Sequence, residues 1–339
     1  MKRPLLAPLV PLHAAALFLR EIALRTGLEP RRALQWPVIS VGSISAGGAG
    51  KTPTILALAQ LLKQSGILVD ALSRGHGRKS TQAQAVNPDG DADRFGDEPL
   101  LIARETGVPV FVAKQRWDAG SLAEAHVIRN PVVHLLDDGM QHRQLKRSLE
   151  IALVSTADLN DHLIPAGNLR EPLRALRRAD VLAVQADDRH ALGWINEKLP
   201  RCEVWTYTRS MRWPAEMPGR VLAFCGIARP EQFYAGLCNG GVEIVARQTF
   251  RDHHSYTEHD LVQLSAAFHR SSAQAFVTTA KDLARLGSRV EVLAQAAPVF
   301  SANIVIRFLD PAAIVRRVRG LFPGKGGNSS PTETSVEIQ

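Results

Sequence analysis

The stretch Trp36–Pro53, which reads WPVISVGSISAGGAGKTP, decides the fold. Residues 36–42 are apolar enough for a short buried strand. Residues 53–62 have the composition of a helix that begins with proline, where a missing N–H is tolerated. A strand, a glycine-rich loop ending in Gly-Lys-Thr, and a helix follow one another in this order in phosphate-binding loops. The sequence therefore predicts an α/β fold in which a P-loop NTPase-like parallel sheet is wrapped by helices.

Each residue type in this loop suits phosphate binding. Glycines let backbone N–H groups converge on phosphate oxygens, and the N-terminus of the following helix adds its dipole. Lys51 would reach the terminal phosphates, and Thr52 would offer a hydroxyl to Mg²⁺. Ser45 departs from the strict pattern, which has glycine there; a chance glycine turn is the alternative, and the flanking elements disfavour it. The predicted nucleotide-binding residues are Gly47, Gly48, Ala49, Gly50, Lys51, Thr52 and Pro53.

Two acidic stretches supply candidate carboxylates. The apolar segment 131–136 ends in Asp137 and Asp138. A carboxylate at the tip of a strand beside a phosphate loop holds Mg²⁺ or its waters, although a simple strand-to-helix turn is the alternative. The acidic run 89–99 does not fit a calcium loop, because arginine and leucine occupy the positions of the required glycine and bidentate glutamate. The candidates that remain in this run are Asp97 and Glu98.

Composition narrows the classes of partner. At 339 residues the chain is long enough for about two domains. Its 41 Lys and Arg exceed its 33 Asp and Glu, giving a net charge of +8. This excess favours an anionic partner, either nucleic acid, a membrane surface or a phosphorylated substrate. The cysteines, Cys202, Cys225 and Cys238, have neither disulfide-framework nor zinc-site spacing, and no nucleic-acid-binding signature is present.

The N-terminal segment resembles a signal peptide, but prolines interrupt it and its helical pattern continues to Arg25. Its apolar part, about fifteen residues at roughly 1.5 Å each, reaches about 22 Å, so we expect it not to span a bilayer core of roughly 30 Å. A helix lying in the membrane interface and a helix packed on the protein's own core both remain open.

Hydrophobic runs alternate with helical stretches, which predicts strands in two successive units. The first unit has strands near 38–42, 67–72, 109–113, 132–136, 150–154 and 180–185, and the second near 221–225, 242–248, 275–278 and 298–302. A composition shift through 209–219 suggests a linker. The predicted divisions are an interfacial helix (1–28), a nucleotide-binding domain (29–213), a smaller α/β domain (214–322) and a disordered tail (323–339).

Eight short motifs together resemble the tetraacyldisaccharide 4'-kinase family of Gram-negative bacteria, the lipid A 4'-kinases. They run in the family's order and include the Asp-Asp-Gly-x-Gln-His and Gly-Asp-Glu-Pro signatures. The motifs are Ser45–Pro53, Ser73–Gly75, Gly96–Pro99, Asp137–Arg143, Asn168–Pro172, Phe224–Pro230, Phe250–His254 and Thr278–Asp282. Ser45 is also what the family carries. Met140, His76 and Ala280 depart from residues that are common in it.

The resemblance implies transfer of the γ-phosphoryl group of ATP, with Mg²⁺, to the 4'-hydroxyl of a tetraacylated glucosamine disaccharide 1-phosphate. It implies that the enzyme acts at the cytoplasmic face of the inner membrane, where it would bind the anionic membrane surface. We expect no nucleic acid and no obligate protein partner. Lys51 would hold the β- and γ-phosphates, and Thr52, Asp137 and Asp138 would hold Mg²⁺. Asp97 would be the catalytic base, oriented by His253 or, alternatively, His254. The remaining residues implied to line the site are Glu98, His142 and Arg170.

Two other classes of function fit the sequence less well. A nucleotide-dependent switch lacks the guanine-recognition spacing at 279–282 and the metal-site clusters of metallochaperones. A non-enzymatic basic module depends only on the net charge. Basic clusters at 143–147 and 170–178 suggest charge at the mouth of the site, although a solvated helix face is the more usual explanation for any one of these residues.

Overall fold

The computed structural model describes residues 3–47, 50–126 and 132–322. The predicted tail and the loop residues Gly48 and Ala49 lie outside the described residues. Within the described parts, twelve strands form one sheet: β1 Val38–Ser43, β2 Val69–Ser73, β3 Gln84–Ala85, β4 Val110–Val112, β5 Val133–Asp137, β6 Leu149–Val154, β7 Val181–Gln185, β8 Glu203–Arg212, β9 Arg220–Cys225, β10 Glu243–Thr249, β11 Ala275–Thr279 and β12 Val299–Phe308.

Helices connect these strands and cover the sheet. Over the same residues the α-helices are α1 Val10–Arg25, α2 Lys51–Gln64, α3 Ala92–Phe95, α4 Asp97–Thr106, α5 Arg116–His126, α6 Thr156–Leu159, α7 Arg189–Lys198, α8 Pro230–Asn239, α9 Glu258–Arg270, α10 Ala280–Leu286, α11 Val290–Ala294 and α12 Pro311–Arg319. Short 3₁₀ helices span Pro4–Leu9, Leu173–Arg178 and Gly287–Arg289.

The sheet order is β10-β9-β11-β12-β8-β7-β6-β1-β5-β2-β4-β3. Its neighbouring strands are parallel except for the β12–β8 and β3–β4 pairs. The central strand β1 carries the phosphate loop and lies between β6 and β5, and β5 ends at Asp137. Because parallel strands present their carboxyl ends at one edge, the loop and this carboxylate share that edge. The predicted α/β architecture is confirmed.

Strands β8 and β12 join the two halves of the sheet. The first half of β8 pairs with β7, its second half pairs antiparallel with residues 303–308, and the start of β12 pairs with β11. The expectation of a linker is therefore wrong for residues 209–212, which belong to β8. The division of the chain at residue 213 stays a prediction.

Apolar faces of the helices explain how the sheet is covered. Ile55, Leu58 and Leu62, spaced by three and four residues on α2, are fully buried against Ile39 and Val41 of β1. This packing fixes the first turn of α2, and with it the end of the phosphate loop. In the second half of the chain, a separate core cluster forms around β9, β11 and α9.

The N-terminal helical stretch lies against the rest of the protein through polar contacts. The Arg3 amide donates to the Ala166 carbonyl at 2.7 Å, and near the other end Glu21 pairs with Arg143. The stretch Pro4–Arg25 contains 22 helical residues and is long and apolar enough, by length and composition, to cross a membrane. The length argument against spanning therefore does not hold, because the helix continues past the fifteen apolar residues through residues 20–25. That the stretch lies in the membrane interface stays a prediction.

Candidate active site

The phosphate loop connects the end of β1 to the start of α2. Gly47 and Gly50 adopt φ angles of +69° and +83°, a region that glycine enters without a Cβ clash. Thr52 lies buried in the first turn of α2. Gly48 and Ala49, two of the predicted nucleotide-binding residues, lie outside the described residues. The described residues of the loop thus have the backbone form and helix start that phosphate binding requires.

Asp138 joins two cations beside this loop. Arg170 donates from its two terminal nitrogens to Asp138 Oδ2 at 2.9 Å and to Oδ1 at 2.8 Å. Lys51 Nζ lies 3.5 Å from Asp138 Oδ1. Burial alone would raise the pKa of Asp138, but the Arg170 hydrogen bonds and the charge of Lys51 hold that pKa below its ordinary value. Asp138 is therefore an ionised anchor between the phosphate loop and Arg170.

Asp137 is a buried carboxylate with unused hydrogen-bonding capacity. Its Oδ2 accepts a hydrogen bond from Ser73 Oγ at 3.3 Å, while its Oδ1 has no partner among the residues that the structure describes. Burial, with the nearby charges of Glu98 and Asp138, raises the pKa of Asp137. A cation at this carboxylate would remove the electrostatic cost that burial imposes.

Thr52 and Glu98 bring a hydroxyl and a further carboxylate to the same edge. Thr52 Oγ1 donates to Glu98 Oε1 at 3.3 Å, and Lys281 of α10 pairs with Glu98. Hydroxyl and carboxylate oxygens suit Mg²⁺, which commonly takes one or two carboxylates together with phosphate oxygens and water. In the described residues, no cluster of three or more His, Cys, Asp and Glu side chains forms a metal site.

Asp97 lies at the start of α4 and contacts two side chains from the second half of the chain. His253 Nδ1 is 3.3 Å from Asp97 Oδ2, and Arg285 of α10 donates to the same oxygen from Nε at 3.0 Å and from a terminal nitrogen. Burial would raise the pKa of Asp97, but the His253 hydrogen bond and the charges of Arg285 and Lys281 hold it far below its ordinary value. Asp97 is therefore an ionised carboxylate in a buried cationic setting.

The two adjacent histidines have different surroundings. His253 adopts φ +56° and its ring lies 4.9 Å, centre to centre, from the ring of His76. The hydrogen bond with Asp97 raises the pKa of His253. His254 instead contacts Asp260 at 2.9 Å and stacks on Phe250. In the structure it is His253 that faces Asp97.

Close backbone packing fixes the position of Asp97 at the start of α4. Gly96 has φ +92°, and a Cβ placed there would lie 2.8 Å from the Cα of Gly75 and 3.2 Å from the carbonyl oxygen of His76. Real Cβ atoms almost never approach other heavy atoms below 3.0 Å. The loop after β2 and the start of α4 therefore fit together only because Gly75 and Gly96 have no side chains.

A cavity of about 760 Å³ opens over these groups, between the phosphate loop and the second half of the chain. Its wall includes the predicted residues Gly47, Gly50, Lys51, Thr52, Pro53, Glu98, Asp138, Arg170 and His253. Asp97 and Asp137 lie buried behind the wall. His142, predicted to line the site, does not line this cavity; burial and surrounding arginines lower its pKa to about 4.

Sequence reasoning missed two features of the site. Arg285 follows Lys281 by four residues on α10, a spacing that puts both cations on one helix face. That spacing was a usable signal, because Lys281 belongs to a motif already singled out. The tilted contact between the rings of His76 and His253 had no sequence signal, since it depends on how distant loops pack.

Comparisons with known proteins identify the family of the chain. Residues 2–322 match the profile of the family described as Tetraacyldisaccharide-1-P 4'-kinase, LpxK. The tetraacyldisaccharide 4'-kinase of Koribacter versatilis is 39% identical over 329 residues, covering 94% of this chain and 99% of the relative. The same-named protein of Geobacter metallireducens is 35% identical over 324 residues, covering 91% and 94%.

A solved structure of the same family has a similar fold. The crystal structure of LpxK from Aquifex aeolicus in complex with ATP matches with a TM-score of 0.74 and 31% identity, covering 94% of this chain and 98% of that one. The resemblance of the motifs to this family is confirmed. The chain belongs to the tetraacyldisaccharide-1-phosphate 4'-kinase family, LpxK.

Proposed function

We propose that this chain is the ATP- and Mg²⁺-dependent kinase that phosphorylates the 4'-hydroxyl of a tetraacylated glucosamine disaccharide 1-phosphate, a step of lipid A biosynthesis. Family membership supports the reaction. The observation that carries the assignment of roles is the ionised Asp97, paired with His253 at 3.3 Å and buried beside a cavity that the phosphate loop lines. Such an arrangement brings a positioned carboxylate to a phosphoryl donor.

The phosphate loop would hold the triphosphate. Backbone N–H groups of the loop and the α2 N-terminus supply fixed positive dipoles, and Lys51 adds a full charge near the terminal phosphates. Lys51 Nζ lies 3.5 Å from Asp138 Oδ1, at the end of the loop. We infer that phosphate oxygens take over part of this ion pair when ATP binds.

The donor set at the edge of the sheet fits a divalent cation. Asp137 presents a buried carboxylate oxygen without a hydrogen-bond partner among the described residues, and Thr52 presents a hydroxyl. Thr52, Asp137 and Asp138 would hold Mg²⁺. When bound, Mg²⁺ neutralises charge on the transferring phosphates and orients them. The side chains of this edge therefore serve to fix the position of the phosphates.

Asp97 would accept the proton of the 4'-hydroxyl. In that step the bond from the hydroxyl oxygen to the γ-phosphorus forms, and the bond from the γ-phosphorus to the bridging oxygen of ADP breaks. The proton passes to the Asp97 carboxylate, and ADP leaves with the bonding electrons. Because the transition state of phosphoryl transfer is loose, positioning of the hydroxyl contributes more than base strength. A carboxylate of low pKa is compatible with this role.

We also propose that the N-terminal helical stretch binds the cytoplasmic face of the inner membrane, where an acylated substrate resides. Leu5, Leu12, Phe18 and Leu19 are 60–93% exposed. These side chains line a helix that the rest of the protein holds by polar contacts, so their free side suits a lipid interface. The net charge of +8 over the whole chain also favours a partner with anionic head groups.

A kinase assay on the full chain tests the reaction. Wild-type protein with ATP and Mg²⁺ should convert the tetraacylated disaccharide 1-phosphate into a 1,4'-bisphosphate. Lys51→Ala and Asp97→Asn should each lower kcat by at least about 100-fold, since each removes a group that acts on the transferring phosphoryl or its acceptor. Absence of product with wild-type protein contradicts the proposed reaction. Normal turnover by Asp97→Asn contradicts only the role of Asp97.

Vesicle flotation tests the membrane surface. Vesicles with about 30% anionic lipid should bind the wild-type chain, and the double variant Leu12→Glu/Phe18→Glu should bind them at least about tenfold less, because two exposed apolar side chains that would enter the lipid become charged. Val262→Glu is the matched control, since Val262 is a 65% exposed apolar residue on α9. Equal flotation of all three proteins contradicts an interfacial helix.

A further inference from the structure

Arg285 is a nearly buried arginine that connects the two halves of the chain. Its side chain is 7% exposed and belongs to α10. Two of its nitrogens donate to Asp97 Oδ2 across the cleft, and a third donates to Asp282 Oδ1 at 3.0 Å and to the Gly226 carbonyl at 2.7 Å. All three guanidinium nitrogens therefore have acceptors, which is what a buried charge requires.

These contacts engage only one oxygen of Asp97. Oδ2 receives the hydrogen bonds from Arg285 and faces His253 Nδ1 at 3.3 Å. No side chain or amide of the described residues donates to Oδ1. With Oδ2 fixed by a planar guanidinium, rotation of the carboxylate is restricted and Oδ1 is left as the free acceptor.

His253 alone does not provide the same restraint. Its ring is 38% exposed, and its Nδ1 lies 3.3 Å from both Asp97 Oδ2 and Arg285. An imidazole nitrogen either donates or accepts, so it makes one of these two hydrogen bonds at a time. Arg285, held at its other end by Asp282 and the Gly226 carbonyl, is the more rigid of the two partners of Asp97.

We infer that Arg285 is a positioning residue that holds Asp97 with Oδ1 directed to the sugar hydroxyl. This inference rests on the proposed kinase reaction. Arg285 acts through Asp97 and is not among the residues that line the cavity. Since phosphoryl transfer depends mainly on placement of the attacking oxygen, loosening Asp97 lowers the rate of the chemical step and leaves substrate binding intact.

Steady-state kinetics of full-length variants test this role. Arg285→Gln should lower kcat by about 100-fold, the cost of misplacing a reacting group. The KM for ATP and for the disaccharide should stay within about threefold of wild type, because the phosphate loop and the acceptor contacts are unchanged. Arg285→Lys should recover about tenfold of the loss, since it restores the charge without the planar fork.

A double variant separates positioning from general support of the fold. If Arg285 acts through Asp97, Asp97→Asn/Arg285→Gln should be no slower than Asp97→Asn alone. Arg289→Gln is the matched control: among the described residues the side chain of Arg289 hydrogen-bonds to the Tyr256 carbonyl and not to Asp97, so kcat should be unchanged. Thermal unfolding of each variant shows which proteins are folded at the assay temperature.

The outcomes distinguish the inference from the reaction on which it rests. Inactive wild-type protein removes the kinase proposal itself. If the wild-type protein is active and the kcat of Arg285→Gln is within threefold of wild type, only the inference about Arg285 is overturned. The inference is also overturned if the decreases in kcat of Asp97→Asn and Arg285→Gln multiply in the double variant. It is overturned as well if Arg285→Lys folds like wild type but has the same kcat as Arg285→Gln.

Discussion

Arg170 and Asp138 form a two-pronged ion pair, with nitrogen–oxygen distances of 2.9 and 2.8 Å. The same guanidinium donates to the Ser45 carbonyl at 3.1 Å, at the start of the phosphate loop. Asp138 adopts φ +48°, a backbone conformation that is uncommon outside glycine. One arginine thus ties the loop that follows β1 to the turn that follows β5, and it keeps a strained aspartate in place.

We expect Arg170→Lys to be a poor replacement. Lysine keeps the charge but loses the fork that matches both carboxylate oxygens and reaches Ser45. The kcat/KM for ATP should fall by about 10- to 100-fold, as is usual when the support of a metal or phosphate ligand is lost. Kinetics at several ATP and Mg²⁺ concentrations measure this. Arg178→Lys, which alters a neighbouring pair with Glu171, is the control and should stay within about threefold of wild type.

Gly96→Ala should lower kcat strongly, whereas its effect on the stability of the fold should be smaller. The added Cβ would meet the Gly75 Cα at 2.8 Å, and φ +92° is strained for alanine. The helix start must shift, and Asp97 shifts with it, so kcat should drop by about 100-fold. Gly193→Ala is the control: Gly193 lies inside α7 with open space around it, so alanine should keep activity and add about 0.5–1 kcal/mol of stability. Equal activities of the two variants would contradict the placement of Asp97.

The sequence was most informative where chemistry depends on neighbours along the chain. The phosphate loop and the Asp137–Asp138 turn each lie within one strand-to-helix or strand-to-turn connection, so local pattern located both. Strand β8 escaped notice because its last four residues, Arg209–Arg212, contain one apolar residue and run directly into Trp213-Pro214, a composition typical of a linker. The contacts of Arg285 and His76 depend on packing between distant segments, which no local pattern encodes.

His142 should stay neutral over most of the accessible pH range. Burial, followed by the charges of Arg116 and Arg147, lowers its pKa from 6.5 to about 4. Unfolded chains take up a proton at this residue below about pH 6.5 while the folded protein does not, so the free energy of unfolding should decrease as pH falls from about 6.5 to 4. His142→Asn should weaken that dependence, as measured by urea unfolding. A ring titration near 6.5 by NMR would contradict the prediction.

A buried ion-pair network under the sheet should be important for stability. His134 of β5 lies with its Nδ1 at 2.8 Å from Asp70 Oδ1 and its Nε2 at 3.5 Å from Glu124 Oε1. Burial would lower the pKa of His134, but the two carboxylates raise it. His134→Ala leaves Asp70 buried without its partner and should lower the free energy of unfolding by about 3–5 kcal/mol.

The stability that His134 contributes should depend on pH. A raised pKa means that the folded protein binds the proton more tightly than the unfolded chain does. The contribution of His134 should therefore be complete below about pH 6.5 and should decline as pH rises through the pKa of the folded state. Asp70→Val/His134→Leu, which replaces the pair by apolar side chains, should recover most of the stability that His134→Ala loses. Urea unfolding of the three proteins at several pH values measures this, and a destabilisation that grows with pH would show that the pair is not held by a protonated imidazole.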